Sequence, residues 1–154
     1  MQIVKLDPER KALLVAALRS GEYQQGRGRL YDGIEGGYCC YGVACVLAGA
    51  EKQFRDGRFF FGDHTASSKP SNLCRFDYLP KGVSAWLGIL ETASDYRDGR
   101  IYIQVHDTDP ADLKMMRPPG MDYVTLDALN DAVDDYGKHR FPFERIADLI
   151  EERL

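Results

Sequence analysis

The chain has 154 residues, of which 44% are hydrophobic and 29% charged, with a formal net charge of −4 at neutral pH. This is the size and balance of one globular domain able to bury a core, which excludes disordered and fibrous classes. The acidic balance disfavours nucleic acid as the main partner, although RGR at 27–29 and KHR at 138–140 are local basic clusters.

No apolar run reaches the length of a membrane span, so no membrane partner is expected. The opening MQIVKLDPERK lacks the apolar core of a secretory signal. A cytoplasmic protein with reduced cysteines is the expectation.

The first element is a helix over 8–20. Asp7 suits its N-cap, Pro8 its first position and Gly21 its stop, with Leu13, Leu14, Ala17 and Leu18 on one face. The glycine-punctuated stretch that follows reads as a hairpin around 27–40. YGVACVLAG is then a short buried helix ending at Gly49, with Val43, Val46 and Leu47 inward. Asp56-Gly57 between aromatic positions is the strongest hairpin signal in the chain.

Residues 63–75, rich in Ser, Thr, Asn and Pro, are expected to be an exposed loop. A helix over about 81–88 follows, with Trp86 as its core anchor. A strand is expected over 100–106, then a loop or short-helix connection through DPADLKMMRPPGMD. Thr125 should cap a short helix. Pro142 should start the last one, whose apolar stripe is Phe143, Ile146, Leu149 and Ile150. Local hairpins and scattered helices without alternating βαβ units give a single α+β domain over 1–154.

The segments ALRSGEYQQGRGRL, YCCYGVACVLAG, LPKGVSAWLGI, LDALNDA and FERIADLIEERL occur in this order. Together they resemble the landmarks ALRSGxYxQGxGxL, CCLGVxCxL, VxxWLGL, LNDxG and FxxIADxIE of a widespread set of small bacteriophage and prophage proteins. Tyr41 departs from the usual leucine, and AVDDYGKHR is longer than the usual turn after LND. The resemblance implies phage or prophage origin and an α+β body. It implies no activity.

Three chemistries compete at YCCYGVAC. Cys39, Cys40, Cys45 and Cys74 are zinc-ligand types, alone or with a histidine, but no CxxC-like knuckle is present. Neighbouring cysteines on a strand also point to opposite faces. No metal is therefore assigned, and a zinc-stabilised interaction module is the third reading. A strand running straight into a helix would put Cys39 or Cys40 at a helix N-terminus, where a thiol is activated. His106 and then Asn130 or Asp131 complete the chain order of a papain-like hydrolase or transferase, with Gln24 or Gln25 as an oxyanion donor. The plain alternative is that the cysteines are small apolar residues forming a tight wall between hairpin and helix.

QQGRGRL carries glycine amides with Arg27 and Arg29, a combination suited to an anion without being a named nucleotide motif. Gln25, Arg27, Arg29, Asn130 and Asp131 are accordingly the candidate ligand-binding residues. The LND at 129–131 serves equally well as a turn. Phe59, Phe60 and Phe61 cannot all face inward on a strand, which points to a partner or to a homo-oligomer through that hairpin. The preferred expectation is a non-catalytic, cofactor-free binding protein for a host protein or a small anionic, nucleotide-like ligand, with a counter-defence role. The cysteine enzyme is the alternative.

Overall fold

The structure is a computed structural model that describes residues 4–62, 77–89 and 99–154. It is α+β: six helices and three two-stranded antiparallel sheets among the described residues. Helix α1 (Pro8–Arg19) starts as expected, with Asp7 accepting the Arg10 N–H at 3.0 Å, and stops before Gly21 at φ +76°. Its buried side chains are Leu14, Val15 and Leu18, whereas Leu13 is 44% exposed and Ala17 only half-buried. The inward face is thus rotated by about one residue from the expected stripe, because Leu13, Leu14 and Val15 are contiguous and packing alone decides among them.

Strands β1 (Tyr31–Asp32) and β2 (Gly37–Tyr38) form the first hairpin, shorter than the span 27–40 but within it. Gln25 bridges to Tyr38 in parallel, drawing the glycine loop alongside β2. This needs bare backbone, since a Cβ on Gly26 would lie 2.8 Å from the Gly37 carbonyl carbon. The chain then enters α2 (Cys40–Leu47), where Gly42 rests on the Leu30 carbonyl. A Cβ there would meet that oxygen at 1.8 Å. Val43 is fully buried, but Val46 is 36% exposed and Leu47 half-buried, so the expected inward set holds only in part.

Strands β3 (Lys52–Arg55) and β4 (Arg58–Phe61) are joined by Asp56 and Gly57 at φ +52° and +76°. Two positive φ angles in a two-residue loop match the twist of the flanking strands, which is why Asp-Gly is such a strong signal. Phe61 enters the core at 1% exposure, while Phe59 and Phe60 are half-buried. The expected 63–75 loop lies outside the described residues.

Helix α3 (Lys81–Trp86) is shorter than expected, and Val83 and Leu87 anchor it instead of Trp86. The indole is half-buried beneath the Arg10 guanidinium, 4.8 Å from the ring centroid. Strand β5 (Tyr102–Gln104) pairs with β6 (Tyr123–Thr125), of which the sequence suggests only the capping role of Thr125. Between them lies α4 (Ala111–Met115). Thr125 closes β6 and also caps α5 (Leu126–Asp131), accepting the Ala128 N–H at 3.4 Å. Helix α6 (Phe143–Arg153) buries Phe143, Ile146, Ala147, Leu149 and Ile150. It packs along α1, where Arg19 reaches Asp148 and Glu151 at 2.6 and 2.8 Å. No helix among the described residues is long and apolar enough to cross a membrane.

Candidate functional site

The three described cysteines are buried to 3% exposure or less. Cys39 is the N-cap of α2, its sulfur accepting the Gly42 N–H at 3.4 Å, and the Cys40 thiol points at the Leu126 carbonyl at 3.9 Å. Removal from water outweighs this helix-end placement. Burial pushes the Cys39 thiol up to about 12, against the opposing pull of the Gly42 and Tyr41 amides. Burial likewise raises Cys40 and Cys45 well above the ordinary thiol range.

His106 stands exposed after β5, its backbone N–H donating to Asp109 at 2.6 Å, and no hydrogen bond joins it to a thiol among the described residues. Of the Cys–His–Asn set expected from chain order, Asn130 bonds the Cys40 N–H, and His106 has no hydrogen bond to Cys39 or Cys40. Neither do three His, Cys, Asp or Glu side chains among the described residues converge as metal ligands. Cys74 lies outside those residues.

Gln25 and Asn130 meet in the interior, 105 positions apart in the chain. Asn130 is fully buried. Its Oδ1 accepts the Cys40 N–H at 3.2 Å, and its Nδ2 donates to the Gly26 carbonyl at 2.8 Å and to Asp131 Oδ1 at 3.0 Å. Gln25 Nε2 donates to the Phe141 carbonyl at 3.0 Å, while its Oε1 accepts the Phe143 N–H at 3.0 Å.

These are helix caps supplied from a distance. Helix α6 has Pro142 at its N-cap, which offers no side-chain acceptor, and α2 has only a cysteine sulfur. Gln25 and Asn130 complete both ends, so their amides are engaged by the protein itself and not held open for a ligand. Tyr41, buried at the second position of α2, is likewise bonded within the protein. Its hydroxyl donates to Asp127 at 3.1 Å and accepts the Ile101 N–H at 2.8 Å.

Asp131 and Arg29 do share a pocket of about 180 Å³, with Gly28, Cys39, Asp77, Tyr78 and Asp127. The Gly28 amide that a phosphate would use already donates to Asp131 Oδ1 at 2.9 Å. Three carboxylates in so small a space oppose an anion, and Arg27 is exposed outside it. A wider depression of about 390 Å³ lies between Lys5, Lys11, Glu152 and Arg153, where Arg153 is held by Asp109 and the Gln104 carbonyl.

A different feature lies between the first two hairpins. A cleft of about 260 Å³ has walls of Tyr31, Phe54 and Phe59 and a rim carrying Arg29, Asp32, Ile34 and Arg58. Ile34 is 91% exposed and Phe54 63% exposed. Phe59 packs 4.9 Å from Tyr31 and 5.0 Å from Phe54, centroid to centroid. Gly33 permits this approach, since a Cβ there would fall 2.2 Å from the Phe59 ring.

The Lys52 ammonium sits 3.9 Å from the Tyr31 centroid, within 5.5 Å of the Tyr38 and Phe59 rings, and donates to the Tyr38 hydroxyl at 3.1 Å. It joins two hairpins that share no strand pairing. The phenylalanine run signals this surface in the sequence, whereas Ile34 and Phe54 stand outside that signal. The available signal was an isoleucine inside the glycine turn DGIEGG, which has no strand or helix face to bury it.

A family model described as a domain of unknown function (DUF8296) matches residues 6–154. No curated protein and no solved structure matches the chain.

Proposed function

The chain belongs to the DUF8296 family, a membership that carries no activity with it, and from the geometry we propose a non-catalytic binding protein that docks a protein segment in the aromatic cleft. The observation that supports this is the pairing of Ile34, at 91% exposure, and Phe54, at 63%, across a cleft already shaped by packed rings. Large apolar side chains grouped around a preformed hollow match the anatomy of an interface centre, where aromatic and arginine side chains carry most of the affinity. Lys52 holds the walls together before any partner arrives, which lowers the ordering cost of binding.

Against a thiol enzyme at Cys39 or Cys40 stand the burial of both side chains and the raised pKa that burial gives their thiols. A small anionic ligand is opposed by the carboxylates of the loop pocket. A phage accessory role, with a host protein as partner and counter-defence as purpose, is the setting we assign from the sequence landmarks alone.

The test is selection of a random displayed peptide library on the full chain, counter-screened on the double variant I34S/F54S. Peptides should emerge whose affinity falls at least about tenfold on the double variant, the loss expected from one interface anchor. They should bind Met115→Ser normally, since that residue is exposed on α4, outside the cleft. Binders indifferent to I34S/F54S, or no binders at all, would overturn the reading.

A further inference from the structure

The β3–β4 hairpin has two unlike faces. Its register pairs Lys52 with Phe61 and Phe54 with Phe59, and side chains alternate along a strand. Lys52, Phe54, Phe59 and Phe61 therefore share one face, and Gln53, Arg55, Arg58 and Phe60 the other. The Arg55 guanidinium lies over the Phe60 ring at 5.3 Å, so that second face is packed in part from within the hairpin. The first face meets the rest of the molecule. Phe61 is set in the core at the base, where the Gly62 N–H donates to the Glu51 carbonyl at 2.8 Å. Toward the tip burial falls away, with Phe59 half-buried and Phe54 exposed.

The two hairpins are not equally fixed. The β1–β2 hairpin is tied to the body by its backbone. The Tyr38 N–H donates to the Gln24 carbonyl at 2.8 Å, the Gly26 N–H to the Tyr38 carbonyl at 2.7 Å and the Cys39 N–H to the Leu30 carbonyl at 3.3 Å. The β3–β4 hairpin pairs with no third strand among the described residues, and β4 packs against β1. A lone two-stranded hairpin is marginally stable in water, so the outer half of this one depends on that packing. Lys52 supplies the polar part of it. Its ammonium, set among the Tyr31, Tyr38 and Phe59 rings and bonded to the Tyr38 hydroxyl, reaches both strands of the fixed hairpin.

We infer that β3–β4 is a hinged wall of the aromatic cleft, opening about its Phe61 base while the domain stays folded, with the Lys52 ammonium as the latch that keeps it closed. Opening carries Phe54 and Phe59 away from Tyr31, which stays with the body, so the latch sets how often the cleft is open. The charge does the latching: an ammonium is drawn to ring faces electrostatically, and a neutral chain of similar length is not. The hinge needs no occupant in the cleft, and it stands or falls apart from the docking role.

The experiment is native-state amide hydrogen exchange of the full chain, followed by NMR. Counting in twos from the Gly62–Glu51 bond, Gln53 and Phe60 form a hydrogen-bonded pair in the middle of the hairpin, and their amides report its opening. In the wild type they should be protected at least about tenfold less than the Leu14 and Ile146 amides of α1 and α6. Their exchange should also depend less steeply on low urea, because a local opening exposes less surface. Lys52→Met removes the charge and keeps a chain of similar length. It should speed Gln53 and Phe60 at least about threefold and leave Leu14 and Ile146 unchanged. Lys52→Arg, which keeps a cation over the rings, should hold them within about twofold of the wild type.

Wild-type protection of Gln53 and Phe60 equal to that of Leu14 and Ile146 would overturn the hinge. Unchanged exchange in Lys52→Met, or an equal loss of protection in Lys52→Arg, would overturn the latch. So would a speeding of Ile146 by the same factor, because Lys52 would then act on the whole fold.

Discussion

Replacing Asn130 by alanine tests the distant capping described for α2. The substitution removes the acceptor of the Cys40 N–H and the donor to the Gly26 carbonyl, both on buried residues. Each stranded buried group costs about 1–3 kcal/mol, so the variant should lose about 2–6 kcal/mol, a large share of the roughly 5–15 kcal/mol that holds a domain together. In urea, followed by far-UV circular dichroism and Trp86 fluorescence, the midpoint should fall by about 1–3 M for a slope near 2 kcal/mol per molar. A fall below about 0.5 M would refute the capping argument.

Asn130→Asp sharpens the test. It keeps an acceptor for Cys40 but puts a carboxylate oxygen where Nδ2 now faces the Gly26 carbonyl and Asp131. Burial and Asp131 would raise that carboxyl above its unfolded value near 4. The protonated form then suits the fold, so stability should be greatest below the unfolded pKa and be lost as pH rises through the folded one. The deficit against wild type should shrink on acidification, the opposite of the slope for a salt-bridged carboxylate.

In a Cys74→Ser background the remaining thiols should resist a disulfide reagent at a pH of about 8 and react fully in concentrated guanidinium. Rapid native labelling of Cys39 would restore the enzyme reading. Gly42→Ala forces a Cβ onto the Leu30 carbonyl and should cost about 3 kcal/mol or more, whereas Gly33→Ala meets only the movable Phe59 ring and should cost about 1 kcal/mol while closing the cleft to peptides. Thermal melts and the peptide screen separate the two. The Arg153 guanidinium, helped by the His106 N–H, pulls the Asp109 carboxyl down to about 2, so its contribution is complete above the unfolded value near 4 and is lost as pH falls through 2. Asp109→Asn should therefore flatten the acid limb of the melting temperature between about pH 4 and pH 2.

What could be read directly was chemistry confined to a few neighbouring residues. Asp7-Pro8, Asp56-Gly57 and Thr125 each fix a backbone angle or satisfy an amide within four positions, and each does so in the fold. The stripe of α6 was legible because its apolar positions are separated by polar ones, leaving one face to bury. The face of α1 was not, since three contiguous apolar residues fit two rotations. Gln25 and Asn130 are ligand candidates by their places in QQGRGRL and LND, and nothing local says that their amides also meet helix ends 118 and 90 positions away. Strand β6 was hidden by length: three residues give no alternation to count, and Thr125 serves two elements at once. The cleft was half visible, in a phenylalanine run too long for one face.

The packing of α6 on α1 has a consequence for synthesis. Arg19 and Asp148 are 129 positions apart, and the Leu6 amide is bonded to the Leu154 carbonyl. Closing a loop of that length costs on the order of 4 kcal/mol of chain entropy before any contact forms. A ribosome making this chain releases α1 long before Ile146, Ala147 and Ile150 exist to cover it. Through most of translation Leu14, Val15 and Leu18 have no docking surface on α6, and the nascent chain is one that a chaperone reading exposed apolar helices would hold until the last turns emerge.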